Sequence, residues 1–497
     1  MENEPRHPPH SPGPAAVLPT AERLEADLRF SGRGITIAFL DAGFTAHPDL
    51  FESGRIVAFH DVEDPAAGLP PSGLVAPWQW HGTQTSVVAA GDGTLSDGAY
   101  RGLASSARLL LVKVGREGSI HDEEIARAFE WLLENFQKFG VRIVNVSLGG
   151  DQDLALPESR VNQLAEEAVS RGLVVVAAAG NSGGKSEHTA LPPASAPSVI
   201  TVGGYHDWRS EDGHSFVLYA SSFGSTPDGL AKPELIAPAM EVAAPIPLET
   251  PEYRAAEALS ALAAADDEEL PSLSARLGKT ADLPEELRSA EPGAIREAVK
   301  MRLKERKIVA AHYQHVDGTS FAAPIVTSIV AQMLEANPAL TPAEVKALLV
   351  STAERIEGAP AERQGFGVVH AGRAVEAAAE QGFREAPGPA TLLQTPRIEN
   401  GRVIFLYRDD RARRVCLAGD FNGWDGQSAR YEREPDGTWK ASIEAPAAGR
   451  YRYKLLIDGV HWREDPGNAA RDVDPFGGFD SILTIPIPLP LPIPLPL

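Results

Sequence analysis

A chain of 497 residues exceeds what one hydrophobic core organises, so two or more domains are expected. Hydrophobic residues make up 43%, enough for a sizeable core, and the formal net charge is −22. That charge argues against nucleic acid or an anionic membrane as the main partner, because both need a basic face. The single cysteine, Cys416, excludes an intrachain disulfide and is only a weak pointer to a reducing compartment.

Residues 1–20 are rich in Pro and His and are expected to be disordered. They show neither the basic nor the apolar region of a signal peptide, so a cytoplasmic location is expected. From about 21 to 245, within a first domain expected to span 21–385, apolar runs alternate with helix-like segments. GITIAFLD (34–41), ARLLLVKV (107–114), VRIVNVSLGG (141–150), GLVVVAAAGN (172–181) and PSVITVGG (197–204) suit strands buried on both faces. Between them, 122–140 and 158–172 carry apolar residues at helical spacing, and 122–140 has acids early, a Lys late and a closing Gly. Strand–helix–strand alternation predicts an α/β fold: a parallel sheet with helices on both faces.

Residues 246–308 lack such apolar runs and read as a mostly helical insertion. GTSFAAPIVTSIVAQMLEAN follows, apolar nearly all round and so a buried helix. Its Pro324 is expected in the first helical turn, where a missing N–H costs nothing. In TPAEVKALLVSTA, Thr341 as N-cap, Pro342 at N1 and Glu344 at N3 predict a capping box. Residues 386–396 look like a linker. From 397 to 487 short alternating strands separated by PDG, PAAG and DG turns predict a small antiparallel β-sandwich. The Pro/Leu tail, 488–497, cannot form a membrane-spanning helix because proline lacks the N–H, and it reads as an extended or disordered end.

Four segments carry chemistry. In IAFLDAGFTAHPDL, Asp41 ends a buried strand, where sites of parallel sheets lie. In HGTQTSVVAAG, His81 opens a helix. In DGTSFAAPIV, Ser320 starts one, and in VVAAAGNSGG, Asn181 follows a strand. Together these resemble the subtilisin-like serine proteases, over roughly 30–245 and 309–380. The resemblance implies a subtilisin-like fold and a catalytic triad of Asp41, His81 and Ser320 in the chain order of that family. A serine hydroxyl needs a base to take its proton, and the resemblance assigns that role to His81, with Asp41 orienting it. It makes Asn181 the oxyanion donor, together with the Ser320 N–H. It also makes VNVSLGG, around Ser147, Leu148 and Gly149, and AAAG, with Ala178, Ala179 and Gly180, the walls of the primary specificity pocket. There a substrate strand would pair with backbone. A protein or peptide substrate is the implied partner.

Two departures stand out: Ala42 where the family has Ser or Thr, and Gln84 where many members have a second His. His47 reads as a turn residue, and His121, His312 and His315 read as solvated or structural, since no metal-ligand spacing joins them. No cofactor is implied. Structural calcium is common in the family, but no clear oxygen-ligand loop can be read. No pro-segment precedes Asp41, which is closer to intracellular members, and residues 5–25 are a candidate short inhibitory extension. The insertion leads into the nucleophile helix, so a lid and a solvent-facing elaboration both stay open.

VCLAGDFNGWDGQSARYEREPDGTWKASIEAPAAGRYRYKLLIDGVHWREDP resembles the glycogen-binding domain of the AMP-activated protein kinase β subunit and related immunoglobulin-like early-set domains. That resemblance puts Trp424, Lys454 and Trp462 on sugar-contacting positions and makes α-glucan a candidate partner. Asp480 stands where binders carry an Asn. The bland alternative is an accessory sandwich with Trp424 and Trp439 in its core. Two rivals to a plain endopeptidase follow: a catalytically silent binding protein of the same fold, and a protease targeted to α-glucan by its C-terminal domain.

Overall fold

The computed structural model describes residues 18–51, 54–71, 77–116, 119–183, 190–207, 216–380, 395–399, 401–408, 412–457, 461–465, 467–468, 470–473 and 479–485. Most of the N-terminal segment, the linker and the Pro/Leu tail lie outside these residues.

The main sheet contains strands β1 (Thr36–Asp41), β2 (Ile56–Asp61), β3 (Arg108–Lys113), β4 (Val141–Val146), β5 (Val174–Ala178), β6 (Ile200–His206) and β7 (Leu235–Pro238). Their order is β7-β6-β5-β4-β1-β3-β2, all parallel, with the short strand Val217–Leu218 antiparallel on β6. Side chains alternate between two cores, as the period of a strand requires. Ile37 and Phe39 of β1 join one apolar cluster, while Ala38 and Leu40 join the other. Two helices, α2 (Asp122–Phe139) and α3 (Arg160–Ser170), cover the second face. The first face is covered by α1 (His81–Ala90), α7 (Thr319–Ala336) and α9 (Ala371–Glu380). Gly140 ends α2 in the left-handed region at φ 64°. The helix α8 (Pro342–Thr352) carries the Thr341–Glu344 capping box.

The strand order reverses beside β1: the chain leaves β1 for β2 and β3 on one side, then crosses to β4 on the other. Such a switch point opens a crevice at the carboxyl ends of the strands. Asp41 is the last residue of β1, and Ser147 follows the last residue of β4.

The insertion grows from a hairpin. Strand β8 (Val242–Pro245) pairs antiparallel with β10 (Tyr313–Val316), and β9 (Ile308–Ala310) pairs β10 on its other side. Helices α4 (Pro251–Ala264), α5 (Leu270–Leu277) and α6 (Pro292–Glu305) pack around their own apolar cluster, which includes Leu259, Leu262, Ile295 and Val299. The stem is tied to the body where Gln84 Nε2 donates to the Pro245 carbonyl (3.2 Å) and Tyr313 Oη donates to Asp49 Oδ2 (2.5 Å).

The C-terminal region is two antiparallel sheets facing one core. Arg402–Arg408 and Thr438–Glu444 anchor one, and Val415–Gly419, Gly449–Ile457 and Phe479–Ile485 the other. Phe405, Leu417, Trp439, Tyr453 and Leu455 fill the interior, and Cys416 is buried in its strand. The sandwich rests on the first domain: the Arg471 guanidinium lies 4.2 Å over the Phe366 ring and reaches the Ala231 carbonyl at 3.4 Å, and Arg355 meets Glu464 at 3.7 Å.

Candidate active site at the carboxyl end of the sheet

Asp41 is fully buried at the end of β1. Its carboxylate is held by three donors. Oδ1 receives the Ala42 N–H (2.7 Å) and pairs with His81 Nδ1 (2.6 Å), and Oδ2 receives the Thr85 hydroxyl (2.9 Å). His81 reaches Asp41 because α1 starts against β1 at Gly82. A Cβ there would stand 2.8 Å from the Asp41 Cβ and 2.6 Å from the Gly43 carbonyl, so only glycine allows the approach. With Nδ1–H donating to the carboxylate, Nε2 is the basic nitrogen. Burial pulls the His81 pKa down, but the Asp41 charge and hydrogen bond outweigh it and hold the imidazole above its ordinary value. The side chain stays 31% exposed, so the insertion does not seal the site.

Ser320 is the second residue of α7, and its ring neighbour Phe321 lies 5.7 Å from the His81 imidazole between centroids. The Ser320 hydroxyl makes a long contact with the Ser147 carbonyl (3.4 Å), and no hydrogen bond joins it to His81 in this rotamer. A hydroxyl turns about one bond, and such contacts often tighten only when substrate is bound. The helix starts at Gly318, whose φ of 139° is left to glycine.

Pro324 lies in the second turn of α7, not the first. There its missing N–H leaves the carbonyl four residues back, that of Ser320, without its helical donor. Ser147 Oγ fills the vacancy, donating to the Ser320 carbonyl at 2.9 Å. Ser147 is held in turn by Asn145 Nδ2 (3.0 Å), and Asn145 Oδ1 accepts from Thr327 of α7 (2.9 Å). A buried relay therefore links β4 to the first and third turns of the helix that presents Ser320. A polar chain of this kind is rigid because every member has its partner.

Asn181 follows β5. Its Oδ1 accepts from both the Thr319 N–H and the Thr319 hydroxyl, each at 3.0 Å, and the same hydroxyl accepts from the Gly180 N–H (3.1 Å). With Oδ1 so occupied, the Nδ2 amide is the end of Asn181 left to donate. Among the described residues the Ser320 N–H has no hydrogen-bond acceptor, as is usual for the first N–H groups of a helix. Ala178 and Ala179 are buried, Gly180 and Leu148 are half-buried, and Gly149 is exposed, so the backbone of 148–149 forms an open edge next to Ser147.

Sequence reasoning missed Thr85, Asn145, Thr319 and Thr327. All four lie within the segments quoted above, but each acts through a neighbour that only the fold brings to it. His47, read as a turn residue, instead precedes the short helix Pro48–Phe51 and is buried, and burial depresses its pKa to about 4. Among the described residues no group of three or more His, Cys, Asp or Glu is arranged to hold a metal ion. No described helix is long and apolar enough to cross a membrane.

In the sandwich, the Trp424 and Trp462 rings lie 6.3 Å apart at 54°, and Trp462 is 51% exposed. Trp462 pairs across from Leu456, so Lys454, two residues earlier on the same strand face, is its diagonal neighbour. Lys454 Nζ stands 3.5 Å from the buried Asp480 carboxylate. Trp439, by contrast, belongs to the core.

Comparison with known proteins places these features in context. A family model described as the subtilase family matches residues 32–367, and one described as carbohydrate-binding module 48 (isoamylase N-terminal domain) matches 394–477. The chain is 31% identical over 357 residues to serine protease AprX of Bacillus subtilis (strain 168), covering 69% of this chain and 67% of that protein. It is 36% identical over 178 residues to the major intracellular serine protease of the same organism, covering 35% of this chain and 51% of the relative. Among solved structures, fervidolysin from Fervidobacterium pennivorans aligns over 86% of this chain and 53% of that one, at 20% identity and a TM-score of 0.48.

Proposed function

Since the chain belongs to the subtilase family and is a serine protease, we propose that it hydrolyses internal peptide bonds through an acyl-enzyme formed on Ser320. The observation that carries this reading is the 2.6 Å bond from His81 Nδ1 to the fully buried Asp41, beside the serine at the start of α7. The Ser320 hydroxyl turns from the Ser147 carbonyl toward His81 Nε2, which takes its proton as oxygen attacks the substrate carbonyl. The Ser320 N–H and Asn181 Nδ2 receive the oxyanion, and the dipole of α7 adds positive potential there. As the tetrahedral intermediate collapses, His81 gives the proton to the leaving amine. A water molecule then repeats the sequence on the acyl-enzyme. Asp41 remains ionised, orienting the ring and stabilising the imidazolium. The exposed backbone of 148–149 supports an extended substrate added as a strand, which leaves both ends of the peptide free, as an endopeptidase needs.

The test is labelling by a fluorophosphonate probe together with cleavage of a peptide library. The wild type should label and cleave, and Ser320→Ala should do neither. Labelling that persists in Ser320→Ala would overturn the assignment. The raised His81 pKa sets the pH profile. Activity needs the neutral imidazole, so kcat/KM is full above the His81 pKa and is lost as pH falls through it. The acid limb is expected above the ordinary imidazole value of about 6.5.

A second element of the reading concerns the sandwich. The half-exposed Trp424–Trp462 pair and the module 48 match support binding of an α-glucan, with flat indole faces stacking on sugar rings. The enzyme would then be a protease held to polysaccharide. Retention on amylose by the wild type, lost in Trp462→Ala, checks this.

A further inference from the structure

We propose that Thr85 is a positioning residue for the triad, holding the second oxygen of Asp41 so that the first stays aligned on His81. The inference rests on the assignment of Asp41 and His81 above. Thr85 lies four residues after His81 on α1, so both side chains fall on the same helix face and meet the end of β1. Asp41 and Thr85 are both fully buried. Oδ1 already serves the Ala42 N–H and His81, whereas the hydroxyl of Thr85 is the only hydrogen-bond donor to Oδ2 among the described residues. The residue after Asp41 is alanine, so no neighbouring hydroxyl on the strand can take that place. The hydroxyl has a competing acceptor, the Gly82 carbonyl at 3.1 Å, but the carboxylate is nearer and charged.

A buried carboxylate oxygen without a donor is costly, and the group relieves that cost by turning. Turning swings Oδ1 out of line with His81 Nδ1 and weakens that bond. Thr85 thus acts on the imidazole through Asp41 without touching substrate.

The experiment compares Thr85, Thr85→Val, of the same shape without the hydroxyl, and Thr85→Ser, which keeps it. In a Ser320→Ala background, NMR titration of carbon-labelled histidine, with His81 assigned by its loss in His81→Gln, reads the imidazole directly. Thr85→Val should lower the His81 pKa by about half a unit or more, because the Asp41 bond that holds it up is weakened, and Thr85→Ser should leave it in place. In the active enzyme Thr85→Val should lower kcat about tenfold with KM unchanged, and Thr85→Ser should restore it. If Thr85→Val does not fold, Thr85→Ala carries the same expectations. An unmoved titration in the valine or alanine variant overturns the proposal, as does loss of turnover that serine fails to restore. Failure of the wild type to cleave any peptide would instead overturn the protease assignment, and the titration would still decide the role of Thr85.

Discussion

The crevice at the end of the parallel sheet and the aromatic face of the C-terminal sandwich solve opposite problems. In the crevice every working polar group is backed by another. Asp41 has three donors, Asn181 is held by Thr319, and the Ser320 carbonyl is fixed by Ser147, Asn145 and Thr327. On the sandwich, Trp462 faces water and has Trp424 as its ring neighbour. The difference follows from the chemistry. Stabilising charge that develops during reaction needs dipoles already fixed in place, whereas stacking on a sugar needs only flat apolar area. Substitutions in the crevice should therefore cost far more than those on the sandwich face.

The largest effect is expected at the nucleophile: Ser320→Ala should lower kcat about 10⁶-fold in peptide-cleavage assays, with stability unchanged. A residual rate within a hundredfold of wild type would break the comparison. The next concerns the sandwich interior rather than its face. Asp465 is buried and accepts from Tyr453 Oη at 2.7 Å, and burial raises its pKa from 3.8 to about 7. A carboxyl that holds its proton more tightly when folded favours folding at low pH. That contribution is whole below about pH 4 and is lost as pH rises to about 7, on the order of 4 kcal/mol. Denaturant unfolding of the sandwich followed by tryptophan fluorescence should show this slope, and Asp465→Asn should flatten it.

Asn181→Ala removes a prealigned donor and should lower kcat about 100- to 1,000-fold with little change in KM, read by steady-state kinetics. Trp462→Ala is expected to have the smallest effect. Amylose affinity should fall about tenfold while hydrolysis of a soluble peptide stays as in the wild type. A matching loss of peptide hydrolysis would show that the two regions are coupled, through the contact of Arg471 with Phe366 or otherwise.

The sequence alone determined the buried strands of the parallel sheet, the helices at 122–139 and 160–170, and the antiparallel character of the C-terminal region. Local pattern carries these: continuous apolar runs, helical spacing, caps and turn residues are read within ten residues of one another. The motifs around Asp41, His81, Ser320 and Asn181 were also legible, through their resemblance to one family. The supports were decided only by tertiary structure. Thr85 reads as one more residue of a buried helix, and Asn145 as an odd polar in an apolar strand. Thr327 passes for filler in α7. Pro324 looked harmless until the helix start placed it where Ser320 loses a donor and Ser147, 173 positions away, replaces it. Hydrogen-bond partners across such distances are chosen by which strands lie side by side, and no local pattern encodes that.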